Sequence, residues 1–183
     1  MKPYFSDDFV TLFHADAREA LGTARILDGM DSFVVLTGPP WHEQPDVANE
    51  VIRKLRAPTI ICQWNEVSRP PCELPLVAAH IWINADAEGM RYQPFYHFDE
   101  DGRRRRSAIM QYPTHERTHP HDFPVALAQC LLLKTTGLPV LDPFAGTGAT
   151  LIAAKNLHRK SVGIEIDEAR CEAAAKRLRN EAH

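Results

Sequence analysis

Leu138-Pro139-Val140-Leu141-Asp142-Pro143-Phe144-Ala145-Gly146-Thr147-Gly148-Ala149-Thr150 decides the fold. A short apolar run ends in an acid, a bend of small residues follows, and a helical pattern runs from Thr147 to Leu157. Gly146 and Gly148 let the backbone turn tightly and approach a ligand closely. They do so at the carboxyl end of a strand, where open α/β sheets bind their ligands. The next apolar run, Val162-Gly163-Ile164-Glu165-Ile166, brings a second acid about twenty residues further on.

Working outward, the same alternation recurs. Strands are expected at Phe9–Phe13, Ser32–Thr37, Thr59–Gln63, Val77–Ile83, Tyr92–Phe98, Ala108–Tyr112, Pro139–Leu141 and Ser161–Ile166. Helices are expected at Asp46–Arg56, Pro124–Thr135, Thr147–Leu157 and Glu168–His183. Strands alternating with helices predict a doubly wound, mostly parallel sheet covered on both faces. Asp101-Gly102, between two strand-like runs, reads as the turn of an antiparallel hairpin at one edge. The 183 residues suit a single domain, 1–183, in which about 72–118 breaks the rhythm as a variable region.

Composition narrows the class. Hydrophobic residues are 44% and charged residues 25%, the balance of a globular chain. No run approaches a membrane span and the N-terminus lacks a signal-peptide core, so a cytoplasmic protein without membrane contact is expected. Cys62, Cys72, Cys130 and Cys171 form no CxxC pair, which argues against a zinc ribbon and fits buried thiols in a reducing compartment. The net charge of −3 hides an asymmetry: residues 1–50 hold three basic and nine acidic side chains, residues 101–150 six and four. Any nucleic-acid contact therefore has to be a local patch, and the candidate is Arg103-Arg104-Arg105-Arg106. A solvated hairpin tip explains that run equally well.

Three ligand classes share the glycine-turn logic. A phosphate loop needs Lys-Ser/Thr after its last glycine, where this chain has Ala149-Thr150. A dinucleotide fingerprint needs a third glycine, which is missing. Asp142 suits instead the ammonium end of S-adenosylmethionine, and Glu165 suits a ribose diol, whose two hydroxyls both donate.

These segments resemble the S-adenosylmethionine site of the amino-methylating DNA methyltransferases, which modify adenine N6 or cytosine N4. The resemblance is carried by Asp142-Pro-Phe-Ala-Gly-Thr-Gly-Ala-Thr150 with Gly163-Ile-Glu-Ile-Asp167. His119-Pro120-His121-Asp122-Phe123-Pro124 is similar to the family's HPxxFP segment, and Val10 to Ala17 to its strand ending in Gly-Asp. Thr37-Gly38-Pro39-Pro40-Trp41 is similar to the catalytic Asp/Asn/Ser-Pro-Pro-aromatic segment, and its place before the cofactor segment is the order of the β group. The resemblance implies a Rossmann-like class I methyltransferase fold, S-adenosylmethionine as cofactor with S-adenosylhomocysteine as product, and DNA as partner. It implies that Asp16, Asp142, Phe144, Gly146, Gly148 and Glu165 hold the cofactor, Asp16 near its adenine. Gly38, Pro39, Pro40 and Trp41 then form the methyl-transfer site, with Trp41 stacked on a flipped base. Arg103 to Arg106 fall where relatives carry target recognition.

Gly38 departs from the pattern at the decisive place, because glycine keeps the backbone carbonyl but removes the side-chain acceptor. Losing one aimed acceptor costs about 100- to 1000-fold in rate. The alternatives are a weakened enzyme, a substitute acceptor such as Thr37, Glu43 or Asp46, or an idle module that only binds the cofactor. RNA or a protein amide would also offer a planar amine. With about forty residues for target recognition, a homodimer or a partner subunit would supply contact area. Finally, His115-Glu116-Arg117-Thr118-His119 spells HExxH, but Pro113 and Pro120 bracket it too closely for a zinc-binding helix, and no metal is expected.

Overall fold

A computed structural model describes residues 1–23, 26–65, 68–84, 91–112 and 123–180. The strands are β1 (Phe5–Ser6), β2 (Val10–His14), β3 (Val34–Thr37), β4 (Thr59–Gln63), β5 (Leu76–Asn84), β6 (Arg91–Asp99), β7 (Ile109–Gln111), β8 (Val140–Asp142) and β9 (Ser161–Glu165). The helices are α1 (Ala17–Ala20), α2 (Pro45–Lys54), α3 (Val125–Leu132), α4 (Ala149–Asn156) and α5 (Glu168–Asn180). All nine strands join one sheet in the order β1-β2-β9-β8-β3-β4-β6-β5-β7. The expected doubly wound, mostly parallel sheet is present: β2, β9, β8, β3 and β4 run parallel, and β6 is antiparallel to both β4 and β5.

Apolar residues of the central strands build the core. Val34, Val35 and Leu36 of β3 have no exposed surface, and Ile60, Ile61 and Cys62 of β4 almost none. Such unbroken burial is what a sheet covered on both faces requires. One cluster packs α3, α4 and α5 against one face; the other packs α1 and α2 against the opposite face. Trp64 and Trp82 are core residues, at 4% and 1% exposure, as their aromatic settings suggest. In β6, Pro94, Phe95, His97, Phe98 and Asp99 are buried while Tyr92 is exposed, so the strand is covered on both faces over most of its length. Of the four free thiols, Cys62 and Cys171 are buried, whereas Cys72 and Cys130 are only partly so.

The hairpin turn needs correction. Asp101-Gly102 does reverse the chain, and Gly102 adopts a positive φ of 62°. The strands on either side of it, β6 and β7, are not neighbours. β7 passes over to pair in parallel with β5, and the antiparallel pair is β5 with β6. After the turn, the Arg105 amide donates to the Val77 carbonyl, which carries the chain across to β5. Turn chemistry is local, but partner choice is set by which apolar edge is free. The HExxH run and residues 119–122 of the HPxxFP segment lie outside the described residues.

Candidate functional site

The chain order sets the site. From β8 the connection through α4 leads to β9 on one side; from β3 the connection through α2 leads to β4 on the other. Neighbours β8 and β3 therefore flank the point where strand order reverses, which is where doubly wound sheets open a crevice at their carboxyl ends. A cavity of about 280 Å³ occupies it. Its lining includes Asp16 after β2, Glu165 at the end of β9, Asp142 at the end of β8, Gly38 to Trp41 after β3, and Gln63 at the end of β4.

Asp142 is 2% exposed. Thr37 Oγ1 donates to its Oδ1 at 2.7 Å, and the Phe144 amide donates to the same oxygen at 3.1 Å. Burial outweighs these donors and raises the carboxyl to about 6, with Glu165 adding to the rise. Glu165, 6% exposed, takes the Gly146 amide on Oε2 at 2.7 Å and the Asp167 amide on Oε1 at 2.9 Å. Each oxygen has two lone pairs, so each keeps one acceptor site after these bonds.

The bend between the two acids has the predicted conformation. Gly148 sits at φ 86°, in the left-handed region, as the residue before α4. A Cβ there would lie 3.1 Å from that of Ala174, so the glycine also lets α5 approach. Arg177 Nη1 donates to both the carbonyl and the hydroxyl of Thr147, each at 2.9 Å, and pins the loop to α5. Phe144 is half-buried against the cavity, and Ile166, 58% exposed, lines it from beyond β9.

Asp16 caps α1, accepting the Arg18 amide at 2.8 Å, and pairs with the Arg18 guanidinium. That pairing holds its carboxyl below the usual range despite some burial. On the facing side, Pro39 is buried and its carbonyl accepts the Trp41 amide at 2.8 Å. The His42 ring lies over Trp41, centroids 3.5 Å apart and planes tilted by 32°. His42 and Glu43 both line the cavity. The structure thus brings Asp16, Asp142, Phe144, Gly146 and Glu165 into one cavity with Gly38, Pro39, Pro40 and Trp41, while Gly148 shapes the bend from behind.

The four arginines are elsewhere. Asp99 pairs with Thr59, the first residue of β4, whereas the cavity lies beyond the last residue, Gln63. Arg103 to Arg106, following Asp99, therefore stand at the opposite end of the sheet from the cavity. All four are exposed, and Arg105 is held in ion pairs with Asp99 and Asp101, both at 3.0 Å. Of the suggested substitute acceptors, Glu43 lines the cavity, whereas Thr37, buried with its hydroxyl donated to Asp142, and Asp46 do not. The residue that sequence reasoning missed is Gln63, 7% exposed and facing Gly38. Twenty-five positions separate the two, and only the parallel register of β3 and β4 makes them neighbours. Among the described residues, no group of three His, Cys, Asp or Glu side chains could hold a metal ion, and no helix is long and apolar enough to cross a membrane.

Residues 45–176 match the DNA methylase model of N6/N4 methyltransferases, which covers more than half the chain. The chain belongs to that family. Among curated relatives, this DNA methylase family member is 38% identical over 65 residues to the type II methyltransferase M2.DpnII of Streptococcus pneumoniae, and 42% identical over 64 residues to the putative methylase YubD of Escherichia coli. Each alignment covers 34% of this chain, but only 24% and 28% of those proteins. Its fold is that of the PvuII cytosine-N4 DNA methyltransferase, with a TM-score of 0.75 over 97% of this chain and 89% of that one at 16% identity. The M1.HpyAVI–SAM complex superposes with a TM-score of 0.72 over 92% of this chain and 100% of that one, at 18% identity. The class I methyltransferase fold, with its antiparallel pair near one edge, follows from both.

Proposed function

We propose that this chain is an S-adenosylmethionine-dependent DNA methyltransferase that methylates an exocyclic amine, adenine N6 or cytosine N4. One observation carries the reading: the two acids around the glycine bend and the Gly38-Pro39-Pro40-Trp41 segment open into the same cavity across the point where strand order reverses. The family and the names of its type II methyltransferase relatives support it.

The residues fit the cofactor. Asp16, Glu43, Asp142, Glu165 and Asp167 line the cavity, opposed among charged lining residues by Arg170, so its field favours a cationic ligand. When bound, S-adenosylmethionine supplies an electrophilic methyl on a sulfonium sulfur, which departs with the electron pair as a neutral thioether. Asp142 accepts from the ammonium group, and Glu165, with one free acceptor site on each oxygen, accepts from both ribose hydroxyls. Phe144 and Ile166 give the adenine apolar walls beside Asp16. On the other side, the carbonyl of Pro39 accepts one N–H of the target amine, and the second N–H needs an acceptor that Gly38 has no side chain to supply. Accepting these hydrogens draws the nitrogen lone pair out of ring conjugation and towards the methyl. Proline fixes the direction of that carbonyl, and Trp41 stacks on a base flipped into the site.

A chain with this role works in the cytoplasm on DNA, as one half of a restriction-modification pair or alone, and a second copy or partner subunit would widen its grip on the duplex. The test uses tritiated S-adenosylmethionine with unmethylated duplex DNA, structured RNA or protein extract. Label confined to DNA, recovered as N6-methyladenine or N4-methylcytosine, supports the reading. Label in RNA or protein, or cofactor binding with no transfer at all, overturns it.

A further inference from the structure

We propose that Gln63 supplies the amine acceptor that Gly38 lacks. This rests on the amine-methylation reading above and names the residue that completes its site. Gly38 directly follows β3 and Gln63 ends β4, and the pairing of Thr37 with Cys62 sets the two next to each other. A Cβ built on Gly38 would lie 2.8 Å from Gln63 Oε1 and 3.3 Å from Phe123 Cε1. The Gln63 side chain therefore curls into the space that a side chain at position 38 would fill.

The atom it places there is the right one. Standard covalent geometry puts a carboxylate oxygen of Asp about 2.4 Å from its own Cβ. Gln63 Oε1, at 2.8 Å from the built Cβ, stands at a similar reach from the backbone of residue 38. Its direction is fixed from behind: Gln63 Nε2 donates to Gln93 Oε1 at 2.5 Å, so the carbonyl end is the one left to the cavity. Both glutamines line that cavity. Gln93 lies two residues before Phe95, the partner of Gln63 across β4 and β6, so the amide pair is held by the antiparallel register.

The same contact explains why position 38 is glycine here. A side chain there would collide with Gln63 and press on the Phe123 ring, so the acceptor comes from one strand or the other. An amide accepts a hydrogen bond without taking a proton. As the amine nitrogen forms its bond to the methyl carbon, the proton it sheds passes to water.

The experiment compares wild type with Gln63→Leu, Gln63→Glu and the exchange variant Gly38→Asp/Gln63→Ala. Calorimetry with S-adenosylmethionine reads cofactor binding separately from methyl transfer to unmethylated duplex DNA. We expect Gln63→Leu to lose about 100- to 1000-fold in kcat with cofactor affinity within twofold of wild type. Gln63→Glu keeps an acceptor oxygen and retains far more. The exchange variant recovers to within about tenfold of wild type, with the introduced carboxylate in a crystal structure occupying the place of Oε1. If Gln63→Leu is too unstable to assay, Gln63→Glu and the exchange variant decide. Wild-type turnover in Gln63→Leu overturns the proposal. So does an inert wild type beside an active exchange variant, an outcome that leaves the amine-methylation reading intact. If neither transfers methyl although both bind the cofactor, that reading fails and this one falls with it.

Discussion

Thr37 Oγ1 donates to Asp142 Oδ1 at 2.7 Å, a buried hydrogen bond that ties the strand leading into Gly38 to the acid that opens the glycine bend. It is a direct side-chain link between the two segments whose chemistry has to coincide. It also supports the charge on a carboxylate that burial works to neutralise.

Cofactor binding should therefore depend on pH through Asp142. The ammonium group needs the ionised acid, so affinity measured by calorimetry falls about tenfold per unit below pH 6 and stays flat above it until the ammonium group itself titrates at about pH 8. Thr37→Val removes one donor and moves the onset to higher pH. Asp142→Asn loses binding at every pH. In the ligand-free protein the sign is opposite. A folded-state value of about 6, raised above the ordinary 3.8, gives stability that is full below 3.8 and lost as pH rises through 6.

His80 and His97 should make the fold acid-labile. Their rings are buried between β5 and β6, Nε2 of one 3.5 Å from Nδ1 of the other, and burial lowers each from 6.5 to about 4. Both are neutral in the folded protein, so their stability contribution is present above 6.5 and lost as pH falls towards 4. His80→Phe/His97→Phe flattens the dependence in urea unfolding followed from pH 7 to pH 4; an unchanged slope would assign the acid lability to other groups.

Gly163→Ala should destabilise the cofactor half. Its Cβ would lie 2.6 Å from Leu151 Cδ1 and 3.0 Å from the Ala145 Cβ, so the Leu151 side chain and the bend before α4 would have to shift. Overpacking of this kind costs about 1–3 kcal/mol. Denaturant unfolding reads the loss directly. Leu151→Ala alone costs about 2–5 kcal/mol, and the two substitutions together lose less than the sum of the singles, because one of the two collisions disappears.

The arginine run should not anchor DNA at the active cavity. Arg103→Ala/Arg104→Ala/Arg106→Ala leaves the salt dependence of DNA binding within about one unit of slope, since these side chains stand at the far end of the sheet. A loss of three units would place the duplex there after all. Arg105→Ala instead lowers stability, because Asp99 and Asp101 lose their shared partner.

The sequence disclosed what is local. Asp142, the two glycines of the bend and Glu165 are legible because acid, turn and following helix occupy one short stretch, and alternating apolar runs announce the parallel sheet. Pairing between distant strands was not legible. Asp101-Gly102 turns as its residues require, yet β7 joins β5, because hydrogen-bonding partners are chosen by the free edge and not by the turn. Gln63 escaped notice for the same reason: nothing near it in the chain refers to Gly38. β1, with two residues, and α1, with four, are too short to leave a periodic pattern.

The strand order carries a consequence for biogenesis. β2 leaves the ribosome well before its parallel neighbour β9, which lies more than 140 residues later in the chain. Until Ser161–Glu165 emerges, this edge of β2 has no parallel partner and the apolar side chains of Val10 and Leu12 lack the core they join in the folded protein. Closure of so long a loop is slow, and it exposes the growing polypeptide to aggregation and to chaperone capture.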